Sequence, residues 1–536
     1  MVGALIGAGF ATVGCLLPSS APAAVQPSWS PAVSLVRCGS LGVPRVVFPA
    51  SDPFHASGQG AILWSGDPAD CNGADAAAGP GVGIAEFEPD HTLGAPELLP
   101  AAGSPPLTGL SAATATGDGR IVLAGGVGSA GGGTGELSQG PAAGPFTGAG
   151  GLGGPGAPIA VTSSYRGDVA IASVSAGGKI ELRIEPHGTP SFSPPVVLTS
   201  RDAAVTALSV NLDYRGDAVV AWAEKGAIYV RVRAANGVLL TTQRVASSPP
   251  SPRLAALISD DNRAIVAWEN DRTSVGDATT TTTAYLDISV PGIHFTGPHL
   301  LERFVDPPGL IPPASGLEMV RLAYEGVVVA WTGLSGGHFV VRAAPVSVNS
   351  IRPATTVSDP SADAMLSDLA TGPKDEVIAL WTAAPRSDGQ PDAAEQRIIS
   401  ARGLSEPSGV ARFAAPQLVA GPGLLSEPRV AIDPVTDVAV AVWRNRGGNP
   451  GIDYAVRGPS GSDTSVAGRP GPAQGARRAG SGGPSAVTIV VGVLVGLGFV
   501  LFGLRRRARA RERRRTGLRS QGRRLTRRLN LTRWDS

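Results

Sequence analysis

A single tryptophan register constrains this chain more than any other feature. Short apolar runs recur along it: AILW ending at Trp64, RIVLAG at Gly125, DVAIAS at Ser173, DAVVAW at Trp222, RAIVAW at Trp268, VVVAW at Trp331, VIALW at Trp381 and VAVAVW at Trp443. Successive runs recur at a period of roughly fifty residues, with some longer intervals. Six of the eight tryptophans fall at this one position. The tetrapeptide Tyr-Arg-Gly-Asp occurs at 165–168 and again one repeat later, at 214–217. A unit of this length cannot bury an apolar face by itself, so such repeats must stack on one another.

The unit around Trp222 displays its parts. AVTALSV (204–210) is an apolar-rich strand, and Leu212–Asp217 is a turn. Ala218–Ala223 is almost continuously apolar, as a strand covered on both faces must be. Glu224-Lys225-Gly226 makes a tight hairpin, and AIYVRVRA (227–234) alternates apolar with polar residues as a half-exposed strand does. Asn236-Gly237 is a turn signal, and VLLTTQRV supplies a fourth, outer strand. The 72 glycines and 47 prolines argue against a helical protein.

Four antiparallel strands per unit predict an all-β fold, a seven- or eight-bladed β-propeller over residues 25–457. The last unit stops after three strands, at Tyr454–Arg457. The segment SWSPAVSLV (28–36) is similar to SFSPPVVLT (191–199), an outer strand elsewhere. The N-terminal strand is therefore expected to complete the last blade, which removes an exposed sheet edge. In this repeat form residues 28–457 resemble the secreted β-propeller repeat families. They carry neither the S-x-D-x-G-x-T-W box of sialidase-like blades nor the Trp-Asp of WD repeats. The resemblance therefore implies architecture and no activity. Their shared register makes Trp64, Trp222, Trp268, Trp331, Trp381 and Trp443 core residues packed between blades.

The two ends point to a membrane. Residues 1–24 are an apolar stretch closing on Ala21-Pro22-Ala23, a signal-peptide pattern, although no basic residue precedes the apolar run. Residues 458–485 are a Gly/Pro/Ser-rich stalk, expected to be disordered. Residues 486–504 carry no charge and are long enough for one transmembrane helix. Gly492 and Gly496 within them form the G-x-x-x-G spacing of close helix packing. Residues 505–536 hold 14 arginines, beginning with Arg505, Arg506, Arg507 and Arg509. Such a tail stays cytoplasmic and leaves the body extracellular. It is also suited to anionic lipid headgroups, whereas its tether to a membrane argues against nucleic acid. The expectation is a single-pass bacterial membrane protein. Once Cys15 leaves with the signal, Cys38 and Cys71 are an even pair in an exported domain, which predicts a disulfide.

Motifs of catalysis and ligation are better explained as turns. Gly126–Gly131 matches G-x-G-x-x-G, but no helix follows to receive a pyrophosphate. Gly333–Gly337 matches G-x-S-x-G, yet the repeat places it in a hairpin, where a nucleophile elbow cannot form. Both Arg-Gly-Asp triplets occupy the same turn of consecutive units, where Gly and Asp serve the backbone. The six histidines show no metal-ligand spacing, and Asp67, Asp70, Asn72 and Asp75 do not follow a calcium-loop pattern. No catalytic residue, cofactor or metal site is predicted. The expectation is a non-enzymatic binding or scaffold module for a protein or a cell-envelope glycan. The alternatives are a purely structural envelope protein, or a polysaccharide hydrolase or lyase, which needs carboxylates gathered near the ring axis.

Overall fold

The structure is a computed structural model that describes residues 28–459, apart from stretches among which are 50–59, 67–80, 128–133, 274–279 and 307–315. The signal, nearly all of the stalk, the apolar segment with Gly492 and Gly496, and the basic tail with Arg505, Arg506, Arg507 and Arg509 lie outside the described residues. Among the described residues no helix is long and apolar enough to cross a membrane. The helical element described is one 3-10 turn, Ala393–Glu395.

The chain folds into eight antiparallel four-stranded blades, three of which carry extra short strands. The count is thus eight rather than seven. The innermost strands, in blade order, are Arg45–Val47, Gly109–Ala115, Ile159–Ser163, Val205–Leu212, Arg253–Ile258, Leu317–Arg321, Asp363–Thr371 and Leu425–Ile432. The second strand of each blade contains the repeat position. Ala218–Glu224 and Glu376–Ala384 are buried along their whole length, because a neighbouring blade covers each face. Lys225 and Gly226 adopt φ of 49° and 74°, which gives the left-handed turn that matches the twist of a two-residue hairpin.

The six register tryptophans are 0–5 % exposed. Each belongs to an apolar cluster shared with the preceding blade. Trp381 lies with Val328 and Ala330 of blade 6, Trp331 with Ala267 and Leu286 of blade 5, and Trp443 with Ile378 and Leu380 of blade 7. Trp64 of blade 1 lies with Val440 and Val442 of blade 8, so the same contact closes the ring. Blades 2 and 3 carry Gly125 and Ser173 at this position.

Closure also uses the first strand. Val33–Arg37 pairs antiparallel with Gly451–Arg457 as the outer strand of blade 8. Upstream of it, the Trp29 indole donates to Ser400 Oγ of blade 7 at 2.8 Å and lies against the Arg457 guanidinium. Arg457 is buried and paired with the buried Glu376 of blade 7, which also meets Arg402 at 2.9 Å. Burial pushes Arg457 down to about 10. The interface between blades 2 and 3 repeats this arrangement with the charges exchanged. Arg120 opens the second strand of blade 2 as Glu376 opens that of blade 7, and Glu185 ends the third strand of blade 3 as Arg457 ends that of blade 8. Arg120 and Glu185 form an ion pair, and Glu185 is fully buried.

Cys38 is buried at the start of blade 1, beside Leu41 and Phe48. Cys71 lies outside the described residues.

Candidate functional site

Innermost strands run along the ring axis, and each has an edge with no partner strand. Side chains satisfy those edges. Ser209 Oγ and Asn211 Oδ1 accept the Ala256 and Ile258 amides of the next blade. The Arg321 guanidinium donates to the Leu212 and Ile258 carbonyls at one end of the axial channel. Polar residues on these strands are therefore required by backbone chemistry before any ligand is considered.

One position on these strands departs from that background. In each blade one inner residue lies opposite the residue that precedes the repeat position on the second strand. In blades 2 to 5 it is small: Ala112, Ala160, Ser209 and Ala255. In blades 6, 7, 8 and 1 it is charged: Glu318, Asp368, Arg429 and Arg45. Half of the ring thus presents small side chains at this level, and the other half a continuous arc of two acids and two bases. Arg253, on the same inner strand as Ala255, adds a third cation that acts on Glu318.

Three members of the arc are committed to the neighbouring backbone. The Asp368 carboxylate accepts the Val430 amide at 2.8 Å and the Leu369 amide at 3.0 Å. Arg429 donates to the Ser367 carbonyl at 2.7 Å, and Arg45 to the Ser111 carbonyl at 3.0 Å. Glu318 makes no hydrogen bond among the described residues. It is enclosed by protein but keeps part of its surface open to the channel. Burial and then the Asp368 charge push its carboxyl up to about 7, against the attraction of Arg429, Arg45 and Arg253. Burial raises Asp368 as well, opposed by Arg429 and its two backbone amides. Those amides favour the charged form of Asp368, whereas Glu318 has no such donors.

Glu318 lines a cavity of roughly 630 Å³. Arg253, Arg429, Arg446, Glu318 and Glu427 give it charge, Ser367, Ser426, Thr382 and Gln396 give it hydrogen-bonding groups, and Leu254, Leu317, Met365 and Leu366 give it apolar surface. A bulge in the inner strand of blade 8, between Ser426 and Arg429, shapes its wall. Glu427 sits in this bulge at φ 55°, a left-handed conformation unfavourable for a residue with a Cβ. It pairs with Arg444 at 2.9 Å and Arg446 at 3.6 Å. A second bulge, between Leu366 and Asp368, sets the arc residue of blade 7.

The motifs singled out in the sequence lie elsewhere. Asp168 and Asp217 of the two Arg-Gly-Asp triplets are buried, and their carboxylates accept the His187 and Ala235 amides, tying one turn to the next. Gly336 and Gly337 form the hairpin turn between two strands, at φ 60° and 84°. Among the described residues no cluster of three metal-ligating side chains occurs.

No family model and no curated protein matches this chain. Some solved structures are similar to it in part. A polysaccharide lyase of family PL25, an ulvan lyase, is 11 % identical, with 80 % of this chain and 96 % of that one aligned at a TM-score of 0.41. The Aleuria aurantia lectin in complex with α-methyl-L-fucoside is 10 % identical over 58 % of this chain and 95 % of its own, at a TM-score of 0.30. AofleA from Arthrobotrys oligospora is also 10 % identical, over 57 % and 84 %, at 0.29.

The expectation of a non-enzymatic chain does not stand. It rested on finding no gathered acid–base residues, and on a resemblance that implied no activity. The ring assembles at its axis an acidic pair, Glu318 and Asp368, that no single repeat contains.

Proposed function

We propose that this protein takes hold of an acidic polysaccharide at the mouth of its axial channel. The observation that carries this reading is the cavity wall itself. Guanidinium groups at Arg253, Arg429 and Arg446 suit the carboxylates of a sugar acid, because a planar fork donates two parallel hydrogen bonds to a carboxylate. Hydroxyl and amide side chains beside leucine and methionine suit the polar rim and apolar face of a sugar ring. The volume lies within the usual range for pockets that enclose small ligands. A second reading, cleavage of the bound chain, is favoured by Glu318, whose proton affinity sits near neutrality. In this proposal the propeller stands outside the cell on the stalk 458–485. Residues 486–504 span the membrane, the basic tail rests on anionic headgroups, and a Cys38–Cys71 disulfide ties the start of blade 1.

Calorimetric titration of the full-length chain in detergent with oligogalacturonate, and with neutral dextran oligosaccharides of equal length, tests the binding. Oligogalacturonate is expected to bind and dextran not. Replacing the exposed Arg446 by Ala removes one charge-assisted contact and should weaken binding by about tenfold. Equal affinity for both sugars, or none for either, would remove the basis of the proposal.

A further inference from the structure

The site offers one working carboxyl group, and this restricts its chemistry. Hydrolysis of a glycosidic bond ordinarily uses two carboxyl groups, one to protonate the leaving oxygen and one to attack or to activate water. Three carboxylates lie at or beside the cavity. Asp368 is held by the amides of Leu369 and Val430 and acted on by Arg429. Glu427 is paired with Arg444 and Arg446. Glu318 alone among the three has neither a hydrogen bond nor an ion pair among the described residues, and it faces a cavity with three arginines in its wall. One base next to several guanidinium groups is what proton abstraction beside a carboxylate requires. The cations neutralise the sugar acid and stabilise the charge that develops when the adjacent carbon loses its proton.

Resting on the proposal that the cavity binds an acidic polysaccharide, we infer that Glu318 is the base of a β-elimination that cuts a uronate-containing chain. The ionised Glu318 carboxylate takes the proton from the ring carbon bearing the carboxylate. The electron pair of that C–H bond becomes a carbon–carbon double bond to the neighbouring ring carbon, whose bond to the glycosidic oxygen breaks. The oxygen leaves with that electron pair and takes the proton back from Glu318. The products are a chain ending in an unsaturated uronate and a chain ending in a hydroxyl group, and no water, oxidant or reductant is consumed.

Other groups that face Glu318 fix the pH response. Asp368 raises its proton affinity, while Arg429, Arg45 and Arg253 lower it. Because the base must be ionised, the rate should rise with pH and level off above about 7.

The test incubates full-length protein in detergent with polygalacturonate and, separately, with alginate. It follows both the ultraviolet absorbance of the conjugated double bond and the release of reducing ends. Elimination produces the two signals together from at least one of the polymers. Glu318→Gln should lower the rate by about 10²-fold or more, as loss of a general base does, while binding of the same polymer stays within a few-fold. Glu318→Asp keeps the carboxylate but withdraws it, and should retain a residual rate with the same product. Reducing ends without absorbance would mean hydrolysis and overturn the inference. Full activity in Glu318→Gln would remove the assigned role. Binding of both polymers without any product would overturn the elimination and leave the binding proposal standing, whereas failure to bind either polymer would remove both.

Discussion

Exchanging the charges of Arg120 and Glu185 tests whether the repeat uses one structural device in two polarities. Glu185 is fully buried in blade 3, and it pairs with Arg120 of blade 2, whose side chain is 19 % exposed. Arg120→Met leaves a buried carboxylate without that cation, a change that costs about 3–5 kcal/mol in comparable buried pairs. At about 2.1 cal/mol/K of unfolding entropy per residue, a ring of roughly 430 residues that melts as one unit loses about 1 °C per kcal/mol. The single variant should therefore melt about 3–5 °C below the parent by scanning calorimetry. The double variant Arg120→Glu with Glu185→Arg recreates the polarity that Glu376 and Arg457 already have at the equivalent position. It brings a new glutamate near Asp118, which lies 2.9 Å from Arg120 and is 47 % exposed. An exposed like-charge contact costs up to about 1 kcal/mol, so the double variant should recover all but about 1 °C. Salt should change little, since the buried partner is poorly screened. If the double variant melts no higher than Arg120→Met, the two pairs are not equivalent and the argument from the repeat is wrong.

Trp331 is fully buried against blade 5, and its indole N–H donates to Glu302 Oε2 at 2.7 Å. Trp331→Ala should destabilise the ring by about 3–5 kcal/mol, read as a lower denaturation midpoint. An unchanged midpoint with a lost ligand would make Trp331 a binding residue instead. The proposed topology predicts that protease added to intact cells cuts the stalk, releases a folded propeller and leaves an epitope in 505–536 cell-associated. A tail epitope accessible from outside would reverse the orientation.

Architecture and site were legible to different degrees, for a physical reason. Second strands are covered on both faces, so their sequences are continuous apolar runs ending at one tryptophan register, visible without any structure. Turn residues are equally local: Lys225-Gly226 and the two Arg-Gly-Asp turns need only their own neighbours to be recognised. The arc of Glu318, Asp368, Arg429 and Arg45 has no such local signature. Each residue is one charge on a short inner strand, a whole repeat or more from its neighbours in the arc. Glu318 and Asp368 precede Trp331 and Trp381 by the same interval that separates the uncharged Ser209 from Trp222 and Ala255 from Trp268. Aligning that position across the repeats exposes the acidic pair. The basic half escapes the same alignment. The bulge at Glu427 shifts Arg429 one place further from Trp443, and a longer connection sets Arg45 further still from Trp64. Moreover Arg45 reaches the arc only because the first blade closes on the eighth. A charge constellation made by ring closure is a property of the closed ring. It becomes readable only after the blade count and the seam are known, and the sequence left the count open between seven and eight.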